Sequence, residues 1–389
     1  MTSPAKSRYG FIDAIRGIAA CAVMLQHSLY QSGLLSAPGS AKLSGFIPNW
    51  LELGETGVVA FFIVSGFVIP LSLEKTANFR LFWIHRALRI YPLYILIFFL
   101  TFSLHRAGGI HTISGFFVNF LSHLLFIQEY VQQEGFVGGS WTLSLEIIWY
   151  AVISTLFVLS LNKKTWSLVI VSLVVSAIAE LMCVTGHHLA MGRVSMLLCC
   201  VLGLVCYRWE RGSISGRAFA ILSSLLAVAI ISNLLVGFQL FPGPHPSATF
   251  RMAFFSWSLA GTVFFLPFLT RNAGFWGHSG FSFLGRISYS VYLVHPIVLY
   301  VLLSTHLTGI LLIAVTFAAT ICLSTVTYRF VESPPIRLGH RLKSGAQMAS
   351  TSARGAAAVK NSTAPEAAPS APPPEESPPQ PISLKSALI

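Results

Sequence analysis

Ionisable side chains placed inside long apolar runs are the residues best suited to do chemistry in this chain. The first run, residues 10–30, reads GFIDAIRGIAACAVMLQHSLY and carries Asp13, Arg16 and His27. A charge at the centre of a spanning helix costs about 2.5–3.5 kcal/mol on insertion scales, so such residues face a bundle interior and usually serve a function there. The eleven steps from Arg16 to His27 make about three helical turns, which puts both on one face about 16 Å apart along the axis. Asp13 lies one turn below Arg16 and is its expected partner. A structural ion pair and a hydrogen-bonded core histidine would satisfy the same pattern.

Three further groupings share this character. Residues 83–92 read WIHRALRIYP, with Arg86 and Arg89 three apart on one helix face. Paired guanidiniums there can hold phosphate bidentately, or can simply orient the helix in the membrane. Residues 139–150 read GSWTLSLEIIWY, where Thr142, Glu146 and Tyr150 share a face. A buried carboxylate there needs a partner, for which His27 is a candidate, or it hydrogen-bonds a neighbouring helix. Residues 284–296 read LGRISYSVYLVHP, with Ser288, Tyr292 and His295 along one face. Pro296 frees a backbone carbonyl one turn earlier, a device that opens polar pockets at membrane depth. Arg193, Glu180 and the adjacent His187 and His188 are lesser candidates, and the two histidines have no third ligand in register for a metal.

The elements that must position these groups are membrane helices. Of 389 residues, 54% are hydrophobic and 10% charged, and the mean hydropathy is +0.72. Soluble domains average about 25% charged residues, so the chain is expected to be an all-α, polytopic integral membrane bundle. The net charge of +12 is distributed in short clusters between apolar runs, a pattern that orients helices rather than binding nucleic acid. Six cysteines, Cys21, Cys183, Cys199, Cys200, Cys206 and Cys322, sit inside apolar runs and are expected to be free thiols.

Spans are expected near residues 10–30, 54–73, 90–104, 141–161, 166–185, 190–207, 217–236, 250–269, 286–304 and 308–330. That makes about ten transmembrane helices. Residues 31–52 form an external loop. Residues 113–127, which include Asn119 and His123, are apolar but short. Treating them as interfacial or re-entrant places the later basic clusters inside, with both termini cytoplasmic; letting them span would reverse every later loop. Lys6 and Arg8 before the first helix, and Lys75, Arg80, Arg86 and Arg89 after the second, set that orientation. Residues 1–340 are expected to be one membrane domain. Residues 341–389 are rich in Ala, Pro and Ser and are expected to be a disordered cytoplasmic tail.

Six motifs, in order, resemble the acyltransferase family 3 membrane proteins. They are RGIAACAVMLQH (residues 16–27), FFIVSGFVIP (61–70), RALRIYP (86–92), SWTLSLEIIWY (140–150), GRISYSVYLVHP (285–296) and YRFVESP (328–334). The resemblance covers residues 9 to about 338 and also implies ten core helices. Many such proteins carry an extracytoplasmic hydrolase-like domain after the bundle, which this sequence does not show. The resemblance implies an O-acyltransferase that moves an acyl group, most often acetyl, from cytoplasmic acyl-CoA to a hydroxyl of an extracytoplasmic carbohydrate. An exopolysaccharide, O-antigen or lipid-linked oligosaccharide would be such an acceptor.

It makes His27 the expected base, with Glu146 or Asp13 orienting its imidazole or stabilising its cation; a transient acyl-histidine is the alternative route. Arg86, Arg89 and Arg16 become the expected donor-binding residues, and Trp141, Tyr150, Tyr292 and His295 the expected substrate contacts. No tightly bound cofactor or metal is expected. The expected partners are acyl-CoA, the carbohydrate acceptor and membrane lipid, with homo-oligomerisation left open. The expected location is a bacterial inner membrane. A transporter or flippase for a polar glycolipid or small solute is the rival reading, since intramembrane charges and a Pro-broken helix suit it. Against it, the two halves show no repeated pair of interrupted helices.

Overall fold

The computed structural model describes residues 9–36, 41–104, 113–161, 164–243, 248–271 and 274–342. The chain divides into two units, Met1–Arg341 and Leu342–Ile389. The helical bundle is the first; of the second only Leu342 is described. The expected tail therefore lies outside the described residues, as do Lys6, Arg8, Lys163 and Lys343.

Twelve helices succeed one another: α1 (Gly10–Gln31), α2 (Ala41–Trp50), α3 (Leu53–Thr76), α4 (Phe79–Leu104), α5 (Ile113–Leu124), α6 (Ser140–Val158), α7 (Thr165–Val184), α8 (Met191–Glu210), α9 (Gly216–Leu235), α10 (Phe250–Leu269), α11 (Ser279–Leu303) and α12 (Gly309–Thr327). Among the described residues there is no strand, and nine helices are long and apolar enough to cross a membrane. The protein is a polytopic helical membrane protein. Helix α1 is outside the nine despite its 22 residues, enough for about 33 Å of rise. Its Asp13, Arg16, Gln26 and His27 dilute its apolarity, and it completes the expected set of ten.

Helix α1 packs between α11, α3, α10 and α12, which buries Asp13 and Gln26 and leaves His27 exposed. Helices α3 and α8 form the other central pair, with 78% of each apolar stretch buried inside the protein, against 22% for peripheral α7. Their crossing depends on glycines. A Cβ on Gly66 would stand 1.9 Å from the Cys200 carbonyl oxygen, and one on Gly203 2.0 Å from that of Ile63. Without a hydrophobic drive between helices in lipid, such close backbone contact supplies much of the association energy.

Helix α5 has 12 residues, about 18 Å of rise against the roughly 30 Å of a bilayer core. Its faces are inverted relative to a soluble helix. Asn119, Ser122 and His123 are buried against the protein, while Phe117, Val118 and Leu121 are exposed. His123 is held by the Tyr94 hydroxyl at 2.8 Å and the Glu134 carbonyl at 3.0 Å.

Helix α11 supplies an independent check on whether α5 crosses. Gly10 approaches Gly277, Gly17 approaches Leu284, Asp13 meets Gly285, and His27 meets His295. Both sequences rise together, so α1 and α11 run parallel. With α5 not spanning, they are the first and ninth crossings and must be parallel; with α5 spanning, α11 would be tenth and antiparallel.

Several boundaries differ from expectation: α2 (Ala41–Trp50) lies within the expected loop, and α11 starts at Ser279 rather than near residue 286. Helix α4 starts at Phe79 instead of near residue 90, so Arg80 is helical as well, and Arg86 and Arg89 lie in one helix as their spacing predicts. The helix continues below its apolar stretch because Arg86 turns into the bundle and is buried. Pro92, inside the helix, removes a single backbone donor without ending it.

Candidate active site

Two adjoining features gather the sequence-selected residues: an imidazole pair near the C-terminal ends of α1 and α11, and a cavity beneath it. His295 Nδ1 lies 2.9 Å from the Val291 carbonyl oxygen, and His295 Nε2 lies 2.9 Å from His27 Nδ1. A carbonyl only accepts, so His295 Nδ1 must donate. For two neutral rings this fixes the rest: His295 Nε2 accepts, His27 Nδ1 donates, and His27 Nε2 is left with its lone pair. Among the described residues nothing is bonded to that nitrogen. His295 is buried while His27 is exposed. A buried imidazole thus fixes the tautomer and orientation of an accessible one, and an accessible nitrogen lone pair is what a general base requires.

Pro296 accounts for the local backbone. It lacks the N–H that would cap the Tyr292 carbonyl, and it sits inside an unbroken α11. Tyr292, three residues before His295 on the same face, has its ring centroid 6.3 Å from that of His295. Its hydroxyl contacts Thr142 Oγ1 at 3.0 Å and donates to the Gly139 carbonyl at 3.3 Å. Gly139 caps the start of α6 with φ +73°, and a Cβ there would stand 2.4 Å from the Tyr292 hydroxyl. Only glycine meets both conditions.

Tyr292 is also the upper wall of the cavity, whose empty space is about 850 Å³. Arg16, Arg86, Arg89, Thr142, Glu146, Tyr150, Ser288 and Tyr292 all line it, together with Ser65, Tyr289 and apolar residues of α3. Along α3 it extends from Val58 to Ile69, about 16 Å of helix. The predicted shared face of Thr142, Glu146 and Tyr150 is therefore real, and it opens onto the same space as the arginines.

Electrostatics differ along the cavity. Arg86 is buried at its inner part, donates to Ser72 Oγ at 2.6 Å and lies 5.4 Å from the ring centroids of both Phe82 and Tyr150. Among the described residues its Nε has no hydrogen-bond partner. Removing a guanidinium from water in this way is costly unless a ligand or counter-charge repays it. Glu146 accepts from Ser65 Oγ at 3.0 Å and from the Tyr150 hydroxyl.

Two expected relationships are not formed. Glu146 bonds Ser65 and Tyr150 rather than His27. Asp13 is buried where α1 meets Gly285, fourteen residues and about 21 Å of helix below His27, so it cannot orient that imidazole. The contact to His27 is made by His295, which by spacing reads as a satisfied core histidine and which the resemblance suggested as a substrate contact. Trp141 lies apart from the cavity lining, 5.6 Å beneath the Arg193 guanidinium, which pairs with Glu129 at 2.6 Å. Ser65 and Tyr289 were not selected from the sequence, although both lie in motifs carrying the resemblance.

The fold and the site together are an integral membrane bundle with an imidazole pair above an arginine-lined cavity. Residues 9–329 match the acyltransferase 3 family, described as an acyltransferase domain, and the chain belongs to that family. It is a membrane acyltransferase. It is similar to Nodulation protein 10 of Rhizobium leguminosarum bv. viciae, with 23% identity covering 84% of this chain and 93% of that one. It also resembles Acyltransferase MdmB of Streptomyces mycarofaciens, with 28% identity over 154 residues, 38% of each chain. No solved structure matches it.

Proposed function

We propose that the protein moves an acetyl group from cytoplasmic acetyl-CoA to a hydroxyl of an extracytoplasmic carbohydrate. In this reading it acts in a bacterial inner membrane with both termini in the cytoplasm. The observation that carries the reading is the ordered relay from the Val291 carbonyl through His295 to His27, which leaves the His27 Nε2 lone pair accessible. The donor enters from the inner side, its phosphates meet Arg86 and Arg89, and its pantetheine arm runs up the cavity towards Tyr292. Arg16 lines the same space and adds a third cation.

His27 Nε2 takes the proton of the acceptor hydroxyl as its oxygen attacks the thioester carbonyl carbon. The carbon–sulfur bond then breaks, and the departing sulfur takes the proton from His27. The products are the ester and free coenzyme A, with no net proton change. During the step His295 keeps accepting from His27 Nδ1–H, which stabilises the transient imidazolium in one orientation. Thr142 and Tyr292 line the part of the cavity nearest the imidazole pair.

The test uses inverted membrane vesicles supplied with acetyl-CoA labelled in the acetyl group. Wild-type protein is expected to move label into envelope carbohydrate. His27→Ala is expected to lose about 10²–10⁴-fold in rate, the usual contribution of a positioned base, with normal protein levels. Substantial transfer by His27→Ala would remove His27 as the base; no label transfer by wild type, with any acyl-CoA, would favour a transporter.

A further inference from the structure

The outer end of the cavity differs in chemistry from its inner end, and α3 supplies the depth scale. Arg86 donates to Ser72 of α3, and Glu146 accepts from Ser65. Phe61 stands one turn outward of Ser65 and about 16 Å along the helix from Ser72. At this outer level the lining is Val58, Phe61 and Phe62 of α3, Thr142 and Leu143 of α6, and Tyr292 of α11. None of these six side chains is charged.

The two hydroxyls among them are already engaged. Thr142 Oγ1 donates to the Gly139 carbonyl at 2.7 Å and lies 3.0 Å from the Tyr292 hydroxyl. The rest of this lining is hydrocarbon and aromatic surface. Two of its rings meet: the Phe61 and Tyr292 centroids are 6.1 Å apart, with an interplanar angle of 70°. Tyr292 is pinned through its hydroxyl, whereas Phe61 has no polar anchor and is half-buried beside the fully buried Phe62. The Phe61 ring therefore occupies space next to Tyr292 that any larger group at this level would need.

We infer that the outer end of the cavity is the acyl subsite, that it takes a short, uncharged acyl group, and that the Phe61 ring packed against Tyr292 sets the limit on chain length. The inference rests on the donor reading given above, in which the thioester lies near Tyr292. An acyl group ending in a carboxylate would lose its hydration there and find no cation among the six residues, a costly exchange. A chain longer by two methylenes would meet the Phe61 ring, and close-packed surroundings yield little to such an intrusion. Phe61 is thus a specificity-determining residue, and it takes no part in the proton transfer.

The experiment uses inverted membrane vesicles given acetyl-, butyryl- or succinyl-CoA, each labelled in its acyl group, with wild type beside Phe61→Ala. Wild-type kcat/KM is expected to favour acetyl over butyryl by at least about tenfold and over succinyl by at least about a hundredfold. Phe61→Ala is expected to transfer butyryl faster than wild type and acetyl more slowly, shrinking the acetyl preference about tenfold or more, with succinyl still rejected. Loss of packing alone would slow every donor, so a gain with butyryl separates an enlarged subsite from structural damage. An unchanged preference in folded Phe61→Ala, beside an acetyl-selective wild type, overturns the role of Phe61 and leaves the donor reading intact. Should Phe61→Ala not fold, Phe61→Leu replaces it, and an unchanged preference there overturns the role instead. Wild-type transfer of butyryl or succinyl as fast as acetyl overturns the short, uncharged subsite. Wild type that transfers none of the three overturns the donor reading and this inference together.

Discussion

Replacing His295 tests the imidazole relay more sharply than replacing the base itself. In the structure His295 touches His27 through one 2.9 Å contact and is anchored by another of 2.9 Å to the Val291 carbonyl. His295→Ala removes the acceptor that holds His27 in the tautomer with a free Nε2. A hydrogen bond of this kind contributes about 0.5–1.5 kcal/mol net, and a polar group left unsatisfied costs up to about 3 kcal/mol. At about 1.36 kcal/mol per factor of ten, these bounds correspond to roughly 2-fold and roughly 150-fold losses in rate. We expect the loss to fall at about 10- to 100-fold in kcat, with donor KM nearly unchanged because His295 lies above the arginine region.

The assay is label transfer in vesicles, normalised to protein amount. Two controls identify the cause. His295→Gln, whose side chain can place an acceptor near the position of Nε2, is expected to recover part of the lost activity. The double variant His27→Ala/His295→Ala is expected to be no slower than His27→Ala alone, because a residue acting only through its neighbour contributes nothing once that neighbour is gone. Additive losses in the double variant, or activity within twofold of wild type for His295→Ala, would refute the relay.

Two other predictions concern the cavity and the frame. Arg86→Lys keeps the charge but loses the planar guanidinium that can bond phosphate bidentately; donor KM is expected to rise about tenfold or more, with saturated turnover less affected. An unchanged KM would mean that Arg86 serves only to orient its helix. Gly203→Ala places a Cβ 2.0 Å from the Ile63 carbonyl oxygen, so α3 and α8 must separate. Thermal melting of the detergent-solubilised protein is expected to show destabilisation of at least about 1–3 kcal/mol, and a wild-type melting curve would contradict the close crossing.

The parts of this architecture legible in the sequence are those set by local spacing or by charge distribution. Thr142, Glu146 and Tyr150 could be placed on one face because a single helix fixes their relative directions. The same regularity, applied to the fourteen steps from Asp13 to His27, already excludes direct contact between them. Partners across helices obey no such rule. His27 and His295 are 268 positions apart, and nothing in either motif states that α1 and α11 run parallel and side by side.

Parity joins the two kinds of information. Basic clusters suggested that residues 113–127 stay on one side of the membrane, and the His27–His295 contact requires α1 and α11 to cross in the same direction. Helix α5, at 12 residues, cannot be an added crossing without reversing α11 and pulling that pair apart. The geometry that pairs His27 with His295 therefore depends on a short helix failing to span.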